Sequence, residues 1–260
     1  MKLPIYQADA FTDTVFGGNP AAIVPLKEWI SDDLMQKIAL ENNLSETAYL
    51  VENNNRFHIR WFTPAVEVDL CGHATLAAAH ILFEELGYAK DIIFFDSKSG
   101  ELTVKKDRDL LTLNFPATKP IKAEIPYELV DSFNIKPEIT LKANEDYFFV
   151  FRNETEIRNL DPDFAKLKKV KSRGIICTAK GDEVDFVSRF FAPAAGIDED
   201  PVTGSAHTKL APYWSEILGK QTMNALQISA RLGKLECTMK GDRVLISGKA
   251  VSYLKGEITV

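Results

Sequence analysis

Short apolar and aromatic stretches, separated by polar turns, dominate the chain and predict a protein rich in β-strands. Many of these stretches contain β-branched or aromatic residues, and clusters of Gly, Asn, Asp and Lys lie between them. This pattern is typical of strands with at least one buried face. We predict strands at Ile5–Phe11, Thr47–Val51, Phe57–Phe62, Asp109–Phe115, Tyr147–Phe151, Gly174–Thr178, Val184–Phe191 and Arg243–Ser247.

Two segments have the pattern of a central helix instead. They run from Gly72 to Leu86 and from Gly204 to Leu218, and a glycine, the usual C′ residue of a helix, follows each of them. The first is apolar nearly all round, which predicts a buried helix. The second contains Pro212, which we expect to kink it. A surface helix is also expected from Ser31, a good N-cap, to Glu41.

The chain repeats itself at an offset close to half its length. The stretch "RWFTPAVEVDLCGHATLAAA" from Arg60 resembles "RFFAPAAGIDEDPVTGSAHTKLA" from Arg189, an offset of 129 residues. Downstream, "GELTVKKDRDLLTL" from Gly100 resembles "GKLECTMKGDRVLI" from Gly233, an offset of 133 residues. Such an internal match indicates two similar halves related by a pseudo-twofold axis.

The pattern as a whole predicts an α+β protein with two pseudo-symmetric domains, each a curved sheet wrapped around a central helix. We place the first half-domain at residues 1–116 and the second at 127–249. The proline-rich segment 117–126 is the expected linker. A strand at about 250–260 is expected to pack back onto the first half.

Composition and charge narrow the classes of function. The net charge of −6 and the isoelectric point near 5.4 argue against a nucleic-acid-binding surface, which is usually basic. No apolar run is long enough to span a membrane, and the N-terminus lacks the pattern of a signal peptide. Cys71, Cys177 and Cys237 form no CxxC pair, so neither a disulfide framework nor a thiol-rich zinc site is expected. We therefore expect a cytoplasmic protein.

The two helix starts are the first candidate for chemistry. A helix N-terminus presents N–H groups and partial positive charge, and Gly72 and Gly204 would let a ligand approach the backbone closely. In a pseudo-twofold protein the two starts are expected to face one cleft. They could hold a small carboxylate or a developing negative charge there.

Each candidate side chain also has an ordinary structural interpretation. Glu46, between Ser45 and Thr47, could be a solvated loop acid. Asp200 could serve an Asx turn before the second helix, and His73 could be a hydrogen-bonded structural residue. Cys71 could be a small buried residue.

The chain contains the three motifs "LSET", "CGHAT" and "DPVTGSAH" and the N-terminal segment "DAFTDTVFGGNPAAIV". Together they resemble the PhzF-like family of phenazine biosynthesis, within the diaminopimelate-epimerase-like fold. The resemblance spans nearly the whole chain. It implies two β-barrel-like domains, each around a central helix, with the active site between them. It also implies a homodimer that uses no metal and no organic cofactor.

The resemblance implies a role for each matching residue. Glu46 would move a proton, as the glutamate of the phenazine enzyme does on a dihydro-hydroxyanthranilate ring. The implied catalytic residues are Glu46, His73 and Asp200, and the implied substrate-binding residues are Ser45, Gly72, Gly204 and Ser205.

One departure from the wider fold bears on the mechanism. Amino-acid epimerases of that fold use two opposed cysteines, one before each central helix. Here Cys71 stands at the first position and Thr203 at the second. A proton relay between two thiols is thus not available, and a single base predicts tautomerisation rather than inversion. The predicted function is therefore cofactor-independent isomerisation of a small, carboxylate-bearing substrate such as a dihydro-hydroxyanthranilate.

Four alternatives stay open at the level of sequence. The protein could be an epimerase or racemase of another small acid, or it could bind a small metabolite without turning it over. Hydrolysis by Ser205 with His207 as base is disfavoured, since residues two apart on a helix do not face each other. A metal site built from His73, His207 and Asp200 is disfavoured because the chain has no His-x-x-x-His pair.

Overall fold

The computed structural model describes residues 1–260, except for the side chain of residue 195. The chain divides into two compact units. The first unit comprises residues 1–114 and 247–260, and the second comprises residues 115–246. No helix in the described part of the chain is long and apolar enough to cross a membrane.

The first unit is built mainly from a sheet and one buried helix. Its elements up to residue 116 are β1 (Lys2–Ala10), β2 (Asn19–Leu26), α1 (Asp32–Asn42), β3 (Glu46–Asn53), β4 (Arg56–Phe62), β5 (Glu67–Val68), α2 (Gly72–Glu84), β6 (Ile92–Ser97), β7 (Gly100–Asp107) and β8 (Leu110–Pro116).

The second unit repeats this plan. Its elements are α3 (Tyr127–Asp131), β9 (Ile139–Ala143), β10 (Asp146–Val150), α4 (Glu154–Arg158), α5 (Phe164–Leu167), β11 (Gly174–Lys180), β12 (Phe186–Ala192), a 3₁₀ turn (Pro193–Ala195), β13 (Ile197–Asp200), α6 (Gly204–Leu218), β14 (Thr222–Gln227), β15 (Gly233–Lys240) and β16 (Arg243–Gly248).

The last strand, β17 (Ala250–Thr259), pairs antiparallel with β1 in the first unit. In that unit β1 also pairs with β2. The pairing then runs parallel from β2 to β3, antiparallel to β4, parallel to β6 and antiparallel to β7. Helix α2 packs against β1, β2, β3, β7 and β17. Because these strands come from distant places in the sheet, the sheet wraps around α2, whose side chains are almost all buried.

The strand pairing of the second unit follows the same order. The pairing runs antiparallel from β9 to β10, parallel to β11, antiparallel to β12, parallel to β14 and antiparallel to β15. The strand pairs β4–β5 and β12–β13 occupy corresponding places. The predicted α+β class with two pseudo-symmetric halves is therefore confirmed.

Most predicted elements are present, and their ends differ for local reasons. Strand β1 ends at Ala10 because Phe11 adopts a left-handed φ of 62°. Helix α2 stops at Glu84, two residues early, because the amide of Leu86 bonds to the carbonyl of Ile81, five residues back. Helix α6 has the predicted bounds and continues through Pro212, and left-handed Gly219 caps its end.

Candidate active site

Glu46 is the first residue of β3, so the acid lies at the junction between the α1–β3 connection and the sheet. Left-handed Asn43 ends α1, and Glu46 then pairs with Ala21 of β2. The Asn42 amide donates a hydrogen bond to Thr47 Oγ1 at 3.0 Å and so supports this turn. The side chain of Glu46 is only 13% exposed. The interpretation of Glu46 as a solvated loop acid does not fit this burial.

His73 meets Glu46 from the first turn of α2. Its Nε2 lies 3.1 Å from Glu46 Oε2, and both atoms are buried. Although they are close, their geometry does not make a hydrogen bond, and neither atom has another partner among the described residues. On the other side of the ring, Asn19 Nδ2 lies 3.2 Å and Cys71 Sγ 3.5 Å from His73 Nδ1. The imidazole therefore bridges the acid and an amide–thiol pair.

Electrostatics give the members of this cluster different protonation states. Burial raises the pKa of the Cys71 thiol to about 11, and the Glu46 carboxylate adds to the effect, so Cys71 is a neutral thiol at neutral pH. Burial alone would lower the pKa of His73, but Cys71 and Glu46 outweigh it and raise the pKa well above its ordinary value. Since Cys71 is neutral, we hold the Glu46 carboxylate responsible. The direction of this shift favours the protonated form of His73 beside Glu46.

The same three residues have the spacing of a potential metal site. One donor atom from each of Glu46, Cys71 and His73 lies within 4.8 Å of the others. However, the sulfur and the carboxylate lie next to opposite ring nitrogens of His73. A thiol with a pKa of about 11 would also have to lose its proton before it could bind a metal. Both features disfavour a metal ion at this cluster.

In the second unit, Asp200 is held by a hydrogen-bond network around the N-cap of α6. The Thr203 hydroxyl donates to Asp200 Oδ2 at 2.6 Å. Buried Gln227 donates to Thr203 Oγ1 at 3.1 Å and to the Asp200 carbonyl at 2.8 Å, and it accepts from the Thr203 amide at 2.8 Å. Because the Thr203 hydroxyl accepts from Gln227, its single proton is directed to Asp200. Thr203 therefore orients the acid.

Ser205, the second residue of α6, contacts a cation. The guanidinium of Arg173 donates from Nη1 to Ser205 Oγ at 3.0 Å. The same guanidinium binds the fully buried carboxylate of Asp146 through Nε, at 2.8 Å, and through Nη2. Lys209 completes the cluster, with its Nζ 3.1 Å from Asp146 Oδ2 and 3.0 Å from the Ser205 carbonyl. Two cations thus share one buried carboxylate beside Ser205.

His207 belongs to the packing of the second unit. It is fully buried, its Nδ1 lies 2.9 Å from the Thr203 carbonyl, and its ring lies 6.0 Å from that of Phe186. Burial lowers the pKa of His207 to about 4, so the ring is neutral at neutral pH. Since Ser205 Oγ bonds to Arg173 instead, the geometry does not support a Ser205–His207 nucleophile pair.

The structure brings together some of the predicted site residues. Glu46 and His73 are in direct contact, with half-buried Ser45 next to them in sequence and Gly72 at the start of α2. Asp200, Gly204 and Ser205 lie in the second unit around the start of α6. The expectation that the two helix starts face one cleft stays a prediction.

The prediction from sequence missed the partners of these residues. They are Asn19 and Cys71 around His73, Gln227 around Asp200, and Arg173, Asp146 and Lys209 around Ser205. The internal repeat could have indicated Arg173, because the repeat offset of about 129 residues relates the "SET" motif to positions next to residue 173.

Comparison with known proteins agrees with this architecture. A sequence profile of the phenazine biosynthesis-like family (PhzC-PhzF) matches residues 8–256. A protein of Pseudomonas aeruginosa, named as an uncharacterized isomerase, is 50% identical over 258 residues, which cover 99% of each chain. The crystal structure of a PhzF-family phenazine biosynthesis protein from Enterococcus faecalis has a TM-score of 0.96 at 44% identity and covers 100% of both chains.

The likeness in fold extends to more distant enzymes. A hydroxyproline epimerase from Agrobacterium vitis has a TM-score of 0.68 at 9% identity, covering 99% of this chain and 91% of that one. At this identity the likeness concerns the fold alone. The family profile and the relative at 50% identity carry the assignment. The chain belongs to the phenazine biosynthesis-like (PhzF) family.

Proposed function

We propose that this protein is an isomerase that moves a proton within a small carboxylate-bearing substrate, with Glu46 as the single base. The observation that carries the proposal is the buried contact between Glu46 and His73. Both facing atoms lack a hydrogen-bond partner among the described residues. Buried polar atoms are normally hydrogen-bonded, so this pair is suited to receive a substrate group. The isomerase name of the relative at 50% identity supports the same class of reaction.

In the proposed reaction, the Glu46 carboxylate removes a proton from one carbon of the substrate. The electron pair of the broken C–H bond delocalises into the conjugated system of the substrate. Glu46, now protonated, returns the proton to a second carbon on the same face, and the electron pair forms the new C–H bond. His73, as an imidazolium, stabilises the negative charge that develops and donates a hydrogen bond to the substrate.

The second unit offers no matching base at the corresponding position. Thr47 pairs with Phe62 across β3 and β4, and Ile175 pairs with Phe191 across β11 and β12. In this register Glu46 corresponds to Gly174. A glycine cannot exchange protons, and Thr203 replaces the second thiol of the epimerases. Both features favour one-base isomerisation over two-base epimerisation.

The remaining residues have supporting roles in the proposal. Asp200, oriented by Thr203, would hydrogen-bond the substrate and steer protons. The helix starts at Gly72 and Gly204, together with Ser45 and Ser205, would bind the substrate carboxylate. We propose that the reaction needs no metal and no organic cofactor. The expected homodimer and cytoplasmic location stay predictions.

The test compares Glu46→Gln with the wild-type protein on a dihydro-hydroxyanthranilate in deuterated water. Wild type should incorporate deuterium at carbon, and the variant should lose two to four powers of ten in rate, the usual contribution of a general base. Glu52→Gln, at the exposed end of the same strand, is the matched control and should retain full exchange. Near-wild-type exchange by Glu46→Gln would contradict the role of Glu46.

The same assay separates the alternatives. Label that enters with inversion at a single carbon would indicate an epimerase, whereas label at a new carbon indicates isomerisation. A protein that only binds the compound would incorporate no label. Dialysis against a chelator should leave the rate unchanged, and a loss that zinc restores would favour a metal at Glu46, Cys71 and His73.

A further inference from the structure

The repeated strand pairing matches Arg173 of the second unit with Ser45 of the first. The register that relates Glu46 to Gly174 relates the residues just before them as well. In each unit, the segment that begins the strand contacts the second residue of the central helix. Glu46 meets His73 in the first unit, and Arg173 meets Ser205 in the second. The same scaffold therefore presents an acid in one unit and a guanidinium in the other.

We propose that Arg173, together with the Ser205 hydroxyl, is a recognition subsite for the carboxylate of the substrate. This inference rests on the proposed function, because that function makes Ser205 a substrate-binding residue. It adds a charged side chain that determines specificity. The chemical class recognised is a small organic anion, with a planar carboxylate as the best fit to the guanidinium fork.

The charges of the cluster leave Arg173 able to attract an anion. Arg173 and Lys209 together carry two positive charges, and Asp146 carries one negative charge between them. Lys209 and Asp146 are buried, whereas the side chain of Arg173 is 39% exposed. Arg173 is therefore the charged side chain of this cluster that a ligand can reach.

The hydrogen bond from Arg173 also prepares the Ser205 hydroxyl. Since Ser205 Oγ accepts from Nη1, its own proton is available for donation to an incoming oxygen. The guanidinium and the hydroxyl would then donate hydrogen bonds to the same carboxylate at the first turn of α6, where the helix dipole favours negative charge.

Packing holds the guanidinium in this position. Its Cζ lies 5.3 Å from the centre of the Phe190 ring. That ring fits only because residue 174 is glycine, since a Cβ there would lie 2.1 Å from Phe190 Cζ. Asp146 fixes the other edge of the fork. Such pre-organisation lowers the entropic cost of binding an anion.

The experiment measures carboxylate preference by calorimetry, as the ratio of affinities for 3-hydroxyanthranilate and its uncharged carboxamide. Wild type should prefer the carboxylate by about tenfold or more, and Arg173→Met should lose about tenfold of that preference through weaker carboxylate binding. Arg173→Lys should recover part of it, because the charge remains. Arg152→Met, which removes an exposed arginine elsewhere in the same unit, is the matched control and should keep the full preference.

Two outcomes would overturn the subsite: wild type without carboxylate preference, or Arg173→Met with undiminished preference. Unchanged carboxamide affinity in Arg173→Met shows that the variant is folded. If it does not fold, Arg173→Gln, which keeps a donor for Asp146 and leaves Lys209 as the balancing cation, should show the same loss. Glu46→Gln separates the two proposals, because it should lose proton exchange and keep the preference. Exchange that survives in Glu46→Gln refutes the base while the subsite stands.

Discussion

The two units present opposite chemistry at adjacent positions of one scaffold, since Glu46 corresponds to Gly174 and Arg173 to Ser45. In the first unit, the start of β3 places Glu46 against His73 of α2. In the second, the start of β11 places Arg173 against Ser205 of α6. The first pair can accept and donate protons, whereas the second carries a positive charge that cannot be titrated at ordinary pH. In the proposed mechanism, the first pair transfers the proton and the second recognises the anion.

The histidines of the two central helices also lie in different environments, and their pKa values shift in opposite directions. His73 lies next to a carboxylate, and its pKa is raised well above the ordinary value. His207 lies among apolar groups, and burial lowers its pKa to about 4. Both side chains are buried near a helix start. A charged neighbour, rather than burial, therefore gives the two histidines opposite pKa shifts.

The largest expected effect would separate catalysis from binding. With a dihydro-hydroxyanthranilate as substrate, His73→Gln should lower kcat by about two powers of ten and leave KM nearly unchanged, since His73 acts mainly in the transition state. Ser205→Ala should mainly raise KM, by about tenfold. Steady-state kinetics measures both parameters. His58→Gln, whose half-exposed side chain lies on β4, is the control. If both site variants changed the same parameter, the division of labour would be wrong.

The second effect concerns stability at acid pH. Because the folded-state pKa of His207 is about 4, the unfolded chain binds an extra proton between about pH 6.5 and pH 4. Stability should therefore fall as the pH drops through this window, by about 3 kcal/mol. His207→Gln lacks this titrating group, so its stability should fall by about 3 kcal/mol less than that of wild type between pH 7 and pH 4. Urea unfolding at pH 7 and pH 4 measures the difference.

For His73, the expected pH dependence of stability has the opposite sign. Its raised folded-state pKa contributes stability that is fully present below about pH 6.5. That contribution is lost as the pH rises through the raised value. His73→Gln should therefore flatten the alkaline side of the pH–stability curve and leave the acid side as in wild type. Equal pH–stability curves for the two histidine variants would remove the distinction between them.

The third effect tests the packing that positions Arg173. Gly174→Ala would force a Cβ against the Phe190 ring and should destabilise the protein by about 1–3 kcal/mol. Gly256→Ala in β17 is the matched control, because its Cβ would meet only Leu254 Cδ2, at 3.8 Å. Its change should stay within about 0.5 kcal/mol. Equal stability of the two variants, measured by urea unfolding, would refute the packing argument.

The smallest effect concerns the orientation of Asp200. Thr203→Val removes the hydroxyl that donates to Asp200 and accepts from Gln227, and should cost about 1 kcal/mol of stability. Thr203→Ser keeps that hydroxyl and should restore most of the loss. Thermal unfolding of the three proteins measures the change. If the serine variant were as unstable as the valine variant, the methyl group of Thr203 would be what stabilises the protein, and not the hydrogen bond.

Prediction from sequence succeeded where the information is local or repeated. The motifs around Glu46, Gly72 and Gly204 led to the family, which the comparisons confirm. Alternation and glycine stops predicted the strands and both central helices, and α6 has the predicted bounds. Pairs such as Arg173–Ser205 were missed, because their partners are far apart in the chain and neither residue belongs to a motif with its partner.

The sequence by itself determined the fold class, the internal repeat, the family and a short set of candidate residues. These follow from periodicity and from motifs a few residues long. Only the tertiary structure decided which candidates touch. Strand register brings the start of β3 to α2 and the start of β11 to α6, and these contacts bury Glu46 with His73 and join Arg173 to Ser205. Protonation and charge balance depend on such neighbours, because electrostatic energies fall with distance in space and not along the chain.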